Sequence, residues 1–129
     1  MEEFSSAIYA LIVLGGLLII QLVVNDVIGI VKKKTPGAIA KEDHANILFR
    51  AERVVANTNE VLGAFVILFL ACVLSSANPD LTGYAAWVFV GARILFSICY
   101  YANWQSARSA SFGASLLSIV ALFFVAIFG

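Results

Sequence analysis

Two arginines, an asparagine and a glutamate recur at Arg50, Arg53, Asn57 and Glu60 in the stretch RAERVVANTNE. No Pro or Gly separates this polar run from the apolar VLGAFVILFLACVL that follows, so one helix is expected to carry both. At about 100° per residue the four side chains fall within roughly 80° of one another. Asn59 points the opposite way, and Glu52 lies off the face. Guanidinium groups bind carboxylates in bidentate fashion, and an amide orients what is bound. Glu60 sits at or just inside a membrane boundary. An ionisable group at a bilayer centre costs on the order of 3 kcal/mol, so Glu60 is expected to face protein or a wet cavity. A plainer reading has the arginines snorkelling at a helix end, with Glu60 as a buried counter-ion.

Two later stretches carry the same kind of chemistry. Arg93, Phe96 and Tyr100 follow i, i+3, i+7 spacing and share a helix face. Arg108 and Ser109 open the last apolar segment. Brought together near one membrane boundary, these groups suit an anionic, polar ligand that meets an apolar one. Four helices enclose many charges poorly, so a homo-oligomer with sites between subunits is expected.

The elements that must position these residues are membrane spans. The chain has 129 residues, of which 62% are hydrophobic and 12% charged, which excludes a soluble globular domain. Its length allows one small membrane bundle, and its formal net charge of zero offers no basic surface for nucleic acid. Cys72 and Cys99 both lie in apolar segments and read as buried small hydrophobes; nothing resembles a metal-ligand spacing.

The opening Met1-Glu2-Glu3-Phe4 is acidic where a signal peptide would be basic, so the first apolar segment reads as a retained span over about residues 6–31. It is interrupted only by Gln21, Asn25 and Asp26; the last two either face the bundle or form an interfacial polar pair. Pro36 and Gly37, after Lys32-Lys33-Lys34, are expected to end this helix. The polar loop to about residue 46 holds the only histidine, His44, which is read as solvated and given no chemistry.

Further spans are expected at 47–75, 82–102 and 108–128, giving an all-α integral membrane protein, a single four-helix bundle domain. Tyr84 and Trp87 at one end of the third span, and Tyr100, Tyr101 and Trp104 at the other, match interfacial aromatic belts. The fourth span begins with small residues, Ser109 to Ser115, that allow close helix approach. Lys32, Lys33, Lys34, Lys41, Arg50, Arg53 and Arg108 gather at one end, opposite Glu2, Glu3 and Asp80. The positive-inside rule then puts both termini outside and both basic loops in the cytoplasm, in the inner membrane if the cell is bacterial.

The pattern Arg50-x-x-Arg53-x-x-x-Asn57-x-x-Glu60 before an apolar run resembles the second-helix signature of the MAPEG superfamily, the membrane-associated proteins in eicosanoid and glutathione metabolism. Arg93-x-x-Phe-x-x-x-Tyr100 and Arg108-Ser109-x-x-Phe112 resemble its third helix and the start of its fourth. The resemblance covers essentially the whole chain and points to a microsomal glutathione transferase-like member. It implies a homotrimer that binds glutathione as co-substrate between subunits. Arg53, Asn57, Glu60, Arg93 and Tyr100 would contact the tripeptide, with Arg50 nearby and Arg108 and Ser109 beside the thiol. Val55 stands where several relatives have His or Gln, Phe96 where some have His or Tyr, and the Tyr100–Arg108 spacing is one residue shorter than in the prostaglandin-synthase branch. These departures argue against an eicosanoid synthase and leave the second substrate open.

The implied chemistry is that of a thiolate. A free thiol of pKa about 8.5 is only a few per cent ionised at neutral pH. A neighbouring arginine lowers such a pKa by roughly 1–3 units. Conjugation to a lipophilic electrophile, or reduction of a lipid hydroperoxide delivered by the bilayer, is therefore expected. Two other classes remain open: a non-catalytic lipid-binding scaffold, and a small channel or transporter lined by the same charges.

Overall fold

The structure, a computed structural model, describes residues 2–129, so Met1 of the acidic opening lies outside it. A short 3-10 turn, Glu2–Phe4, leads into α1 (Ser5–Val31), α2 (Ile47–Leu74), α3 (Pro79–Tyr101) and α4 (Gln105–Phe128). All four α-helices are long and apolar enough to cross a membrane.

The ends of these helices are set by local hydrogen bonds. Asn46 caps α2 by accepting from the Leu48 amide at 3.0 Å. Asn78 accepts from the amides of Asp80 and Leu81, and Pro79 occupies the first turn, where no amide donor is needed. That cap starts α3 at Pro79, ahead of the expected residue 82. At their C-termini, α1, α2 and α3 end alike. Lys33, Ser76 and Asn103 turn left-handed (φ 56°, 54° and 61°), and the next amides bond back to Gly29, Cys72 and Cys99 carbonyls at 2.8–2.9 Å. The first helix therefore ends at Val31, before Pro36 and Gly37 act. After Asn103 the chain re-enters a helix at once, so α4 starts at Gln105 and Arg108 lies at the end of its first turn.

The core runs along the bundle. Phe65 of α2 stacks on Phe89 of α3 at 4.0 Å, with Phe69, Leu122 and the N-terminal Phe4 buried around them. Cys72 and Cys99 are buried free thiols. Large apolar side chains such as Ile12, Ile19, Ile67, Leu117 and Phe128 are exposed on the outer surface, where a bilayer would meet them.

Helix α2 shows how a polar arc is shared between inside and outside. Its buried stripe is Leu48, Ala51, Val54, Thr58, Val61, Phe65, Phe69 and Cys72. Measured from Arg50, the stripe centres about 60° to one side, while the polar arc extends about 80° to the other. Arg50 and Asn57 therefore border the bundle and Glu60 turns away from it. Within the single chain the Glu60 side chain is 58% exposed.

Candidate functional site

Arg93 is the deepest charge in the chain, with no exposed surface. Its Nη2 donates to Asn57 Oδ1 (2.7 Å) and Thr58 Oγ1 (3.1 Å), and Nη1 to Ser115 Oγ (3.3 Å). Thr58 Oγ1 also accepts from the buried Gln21 amide at 3.1 Å, and the same amide donates to Ser97 Oγ at 2.8 Å. One polar network thus joins α1, α2, α3 and α4. The guanidinium also lies 4.2 Å above the Phe96 ring, while Nε has no partner among the described residues.

This network determines what Asn57 offers. A guanidinium only donates, so Asn57 must turn its carbonyl oxygen to Arg93 and its NH2 the other way. Asn57 also lines a cavity of about 250 Å³ with Arg53, Phe96, Tyr100, Arg108, Ser109 and Phe112. The Arg108 guanidinium lies 4.5 Å over the Tyr100 ring, and its Nη1 is buried without a partner. Ser109 donates to the Gln105 carbonyl at 3.2 Å, and rotation of its hydroxyl would redirect that hydrogen. No carboxylate lines this cavity among the described residues. Two guanidiniums and an amide NH2 make it a donor-rich site for an anion.

The other three expected site residues stand around the cavity without lining it. Arg93 reaches it only through Asn57. Glu60 pairs with Arg53 at 3.6 Å on the outer face. Arg50 holds backbone instead: Nη1 donates to the His44 carbonyl at 2.6 Å and Nε to the Tyr101 carbonyl at 3.3 Å. It ties the first loop to the end of α3.

The loop histidine is not simply solvated. His44 Nε2 lies 3.1 Å from Tyr100 Oη, and its ring packs edge-on against Phe49 at 5.0 Å. A second cavity of about 580 Å³ lies beneath this loop, lined by Ile39, Glu42, His44, Phe49, Glu52 and others. It shares Arg53 and Tyr100 with the smaller one. Glu52 fixes the loop by pairing with Lys34 and accepting from the Ala40 amide at 2.8 Å. Sequence reasoning misses Gln21, Thr58, Ser97 and Ser115 as members of this network. Only Gln21 carries a signal, as a polar residue inside an apolar span.

The model of the MAPEG family matches residues 6–128, which include nearly all of every helix. The chain belongs to the MAPEG family. As a MAPEG protein with four membrane-spanning helices, it is a multi-pass integral membrane protein. The family includes glutathione transferases and related membrane proteins. No curated protein matches the chain.

Proposed function

We propose that this MAPEG protein is a microsomal glutathione transferase-like enzyme. It binds glutathione, ionises its thiol and directs the thiolate at a lipophilic electrophile or a lipid hydroperoxide. The observation that carries this reading is the cavity bounded by Arg53, Asn57, Tyr100, Arg108 and Ser109, with no lining carboxylate among the described residues. Glutathione is a dicarboxylate before its thiol ionises, and a thiolate adds a third anion. Arg53 and the Asn57 NH2 would hold carboxylate; Arg108, with its unpartnered Nη1, would stabilise the sulfur. In conjugation the thiolate attacks the electrophilic carbon, a C–S bond forms, and the leaving group departs with its electron pair. With a hydroperoxide the sulfur attacks the terminal oxygen and the O–O bond breaks. The departing alkoxide takes a proton, and a second glutathione converts the sulfenic acid to disulfide and water.

The same reading includes a homotrimer with the sites between subunits and the basic loops in the cytoplasm. At about 250 Å³ the cavity of one chain is below the ~300–1,000 Å³ usual for small-molecule sites. The exposed Arg53–Glu60 pair beside it is the surface from which a neighbouring subunit would complete it. The test is titration with glutathione by calorimetry and by the ultraviolet thiolate band. Saturable heat and a thiolate signal at neutral pH are expected. Absence of both would overturn the enzyme reading and favour a lipid-binding scaffold, while ion flux in liposomes would favour a channel.

A further inference from the structure

Away from the donor-lined cavity, a slot of about 360 Å³ runs between α1 and α3. Its walls are apolar: Val13, Gly16, Leu17 and Ile20 on α1, and Ile94 and Ile98 on α3. Only one end is polar, where Gln21, Ser97 and Tyr101 line it toward the basic end of the bundle. From Val13 to Gln21 the α1 wall rises eight residue steps, about 12 Å at 1.5 Å per residue. The slot is thus elongated along the membrane normal, apolar at depth and polar near the boundary. Ile20 and Ile98 are exposed beside it, so it opens sideways onto the hydrocarbon.

The polar end has one unused donor. Both Gln21 amide hydrogens are committed, to Thr58 and Ser97, and Ser97 donates to the Arg93 carbonyl at 2.8 Å. The Tyr101 hydroxyl is buried and has no partner among the described residues. A buried hydroxyl left unpaired where no water reaches is costly, and in a bilayer its partner must come from protein or lipid. No lysine, arginine or histidine lines the slot among the described residues, which disfavours a carboxylate head. A neutral carbonyl above a single apolar chain fits both ends.

We propose that the slot between α1 and α3 holds one acyl chain of a bilayer phospholipid, its ester carbonyl accepting a hydrogen bond from Tyr101. The bilayer is the source because the slot opens laterally and its polar end lies where a span meets the headgroup layer. Ester carbonyls lie at that depth and acyl chains point inward from it. The lipid then acts as a structural partner of α1, wedged beside the buried Gln21–Thr58–Arg93 network rather than in the anion cavity. This does not depend on the thiol reading.

Gly16 gives a clean probe, since a Cβ added there meets nothing within 4 Å. Leucine at that position also favours a helix, so Gly16→Leu should fold while its side chain fills the slot. The measurement is native mass spectrometry of the full chain from mild detergent, with thermal unfolding in the presence of dioleoyl phosphatidylglycerol. Wild type is expected to retain about one phospholipid per chain, and added lipid to raise its melting temperature. Gly16→Leu should lose both the retained lipid and that rise, with the lipid-free melting temperature no lower than wild type. Tyr101→Phe should raise the half-saturating lipid concentration about threefold, the size of an average side-chain hydrogen bond in a membrane. The proposal is overturned if wild type holds no lipid or if Gly16→Leu holds it as wild type does. It is equally overturned if Gly16→Leu breaks the oligomer, because another subunit then covers the slot. Glutathione binding, followed in the same samples, reports on the anion cavity separately.

Discussion

Arg108 and Arg53 line the same cavity, yet they stand in different surroundings. Arg53 is tied to Glu60 at 3.6 Å, and its side chain is 38% exposed. Arg108 lies over Tyr100 with Nη1 buried and unpartnered, and Ser109 follows it in the first turns of α4. An unpaired buried donor gains most from a new anion, so Arg108 is the group assigned to the sulfur. Arg108→Ala should raise the pKa of bound glutathione thiol by about 1 unit or more and slow turnover near neutral pH about tenfold. Ground-state affinity should change less. Arg53→Ala should do the reverse, weakening binding more than it moves the thiol. The check is a pH titration of thiolate absorbance for wild type and both variants with bound glutathione. An unmoved midpoint in Arg108→Ala removes the thiolate role from that residue.

At the scale of elements, Arg93 is the pin through the bundle. It sends three hydrogen bonds from α3 to α2 and α4, all to neutral groups, and among the described residues no carboxylate lies within hydrogen-bonding distance of it. A buried charge with no directly bonded carboxylate carries a large desolvation penalty, so removing it relieves that penalty while taking one donor from each of its acceptors. Arg93→Met should therefore destabilise the fold only modestly, by about 1–3 kcal/mol, chiefly from the unpaired Asn57 oxygen, since Thr58 still accepts from Gln21 and Ser115 still donates to the Ser111 carbonyl. Binding should suffer more, because nothing then forces the Asn57 NH2 toward the cavity. Thermal unfolding in detergent, set beside a glutathione titration of the same variant, separates the two effects. Collapse of the fold with affinity intact in the surviving fraction would contradict this view of Arg93.

For the whole molecule, the exposed polar edge of α2 decides what must cover it. Glu60 and Arg53 lie on a membrane-spanning helix and are partly exposed in the single chain. A charge facing lipid costs up to roughly 2.5–3.5 kcal/mol at the helix centre on the insertion scale, and less toward the boundary. Neighbouring subunits that bury this edge would remove that cost and close the 250 Å³ cavity together. Detergent-solubilised protein is expected to be a stable trimer by native mass spectrometry. A monodisperse monomer or dimer would remove the intersubunit site.

The sequence alone determined the quantities that depend on composition and period. Long apolar runs dictate spans, because in hydrocarbon only a helix satisfies every backbone group within itself. The 3.6-residue repeat puts Arg50, Arg53, Asn57 and Glu60 on one arc whatever packs against them. Tertiary structure decided which part of that arc turns inward, because the buried stripe through Val54, Thr58 and Phe65 is set by the facing helices. It turned Glu60 outward, assigned Arg50 to two backbone carbonyls and sank Arg93 among two hydroxyls and an amide of α2 and α4. It also brought His44 to Tyr100, 56 residues away, at 3.1 Å. No local signal in a polar loop can announce that contact, since it exists only once Arg50 and Glu52 have fastened the loop over the end of α3. The same holds for the slot between α1 and α3: Gly16 and Tyr101 are 85 residues apart in sequence and share a wall only in the folded bundle.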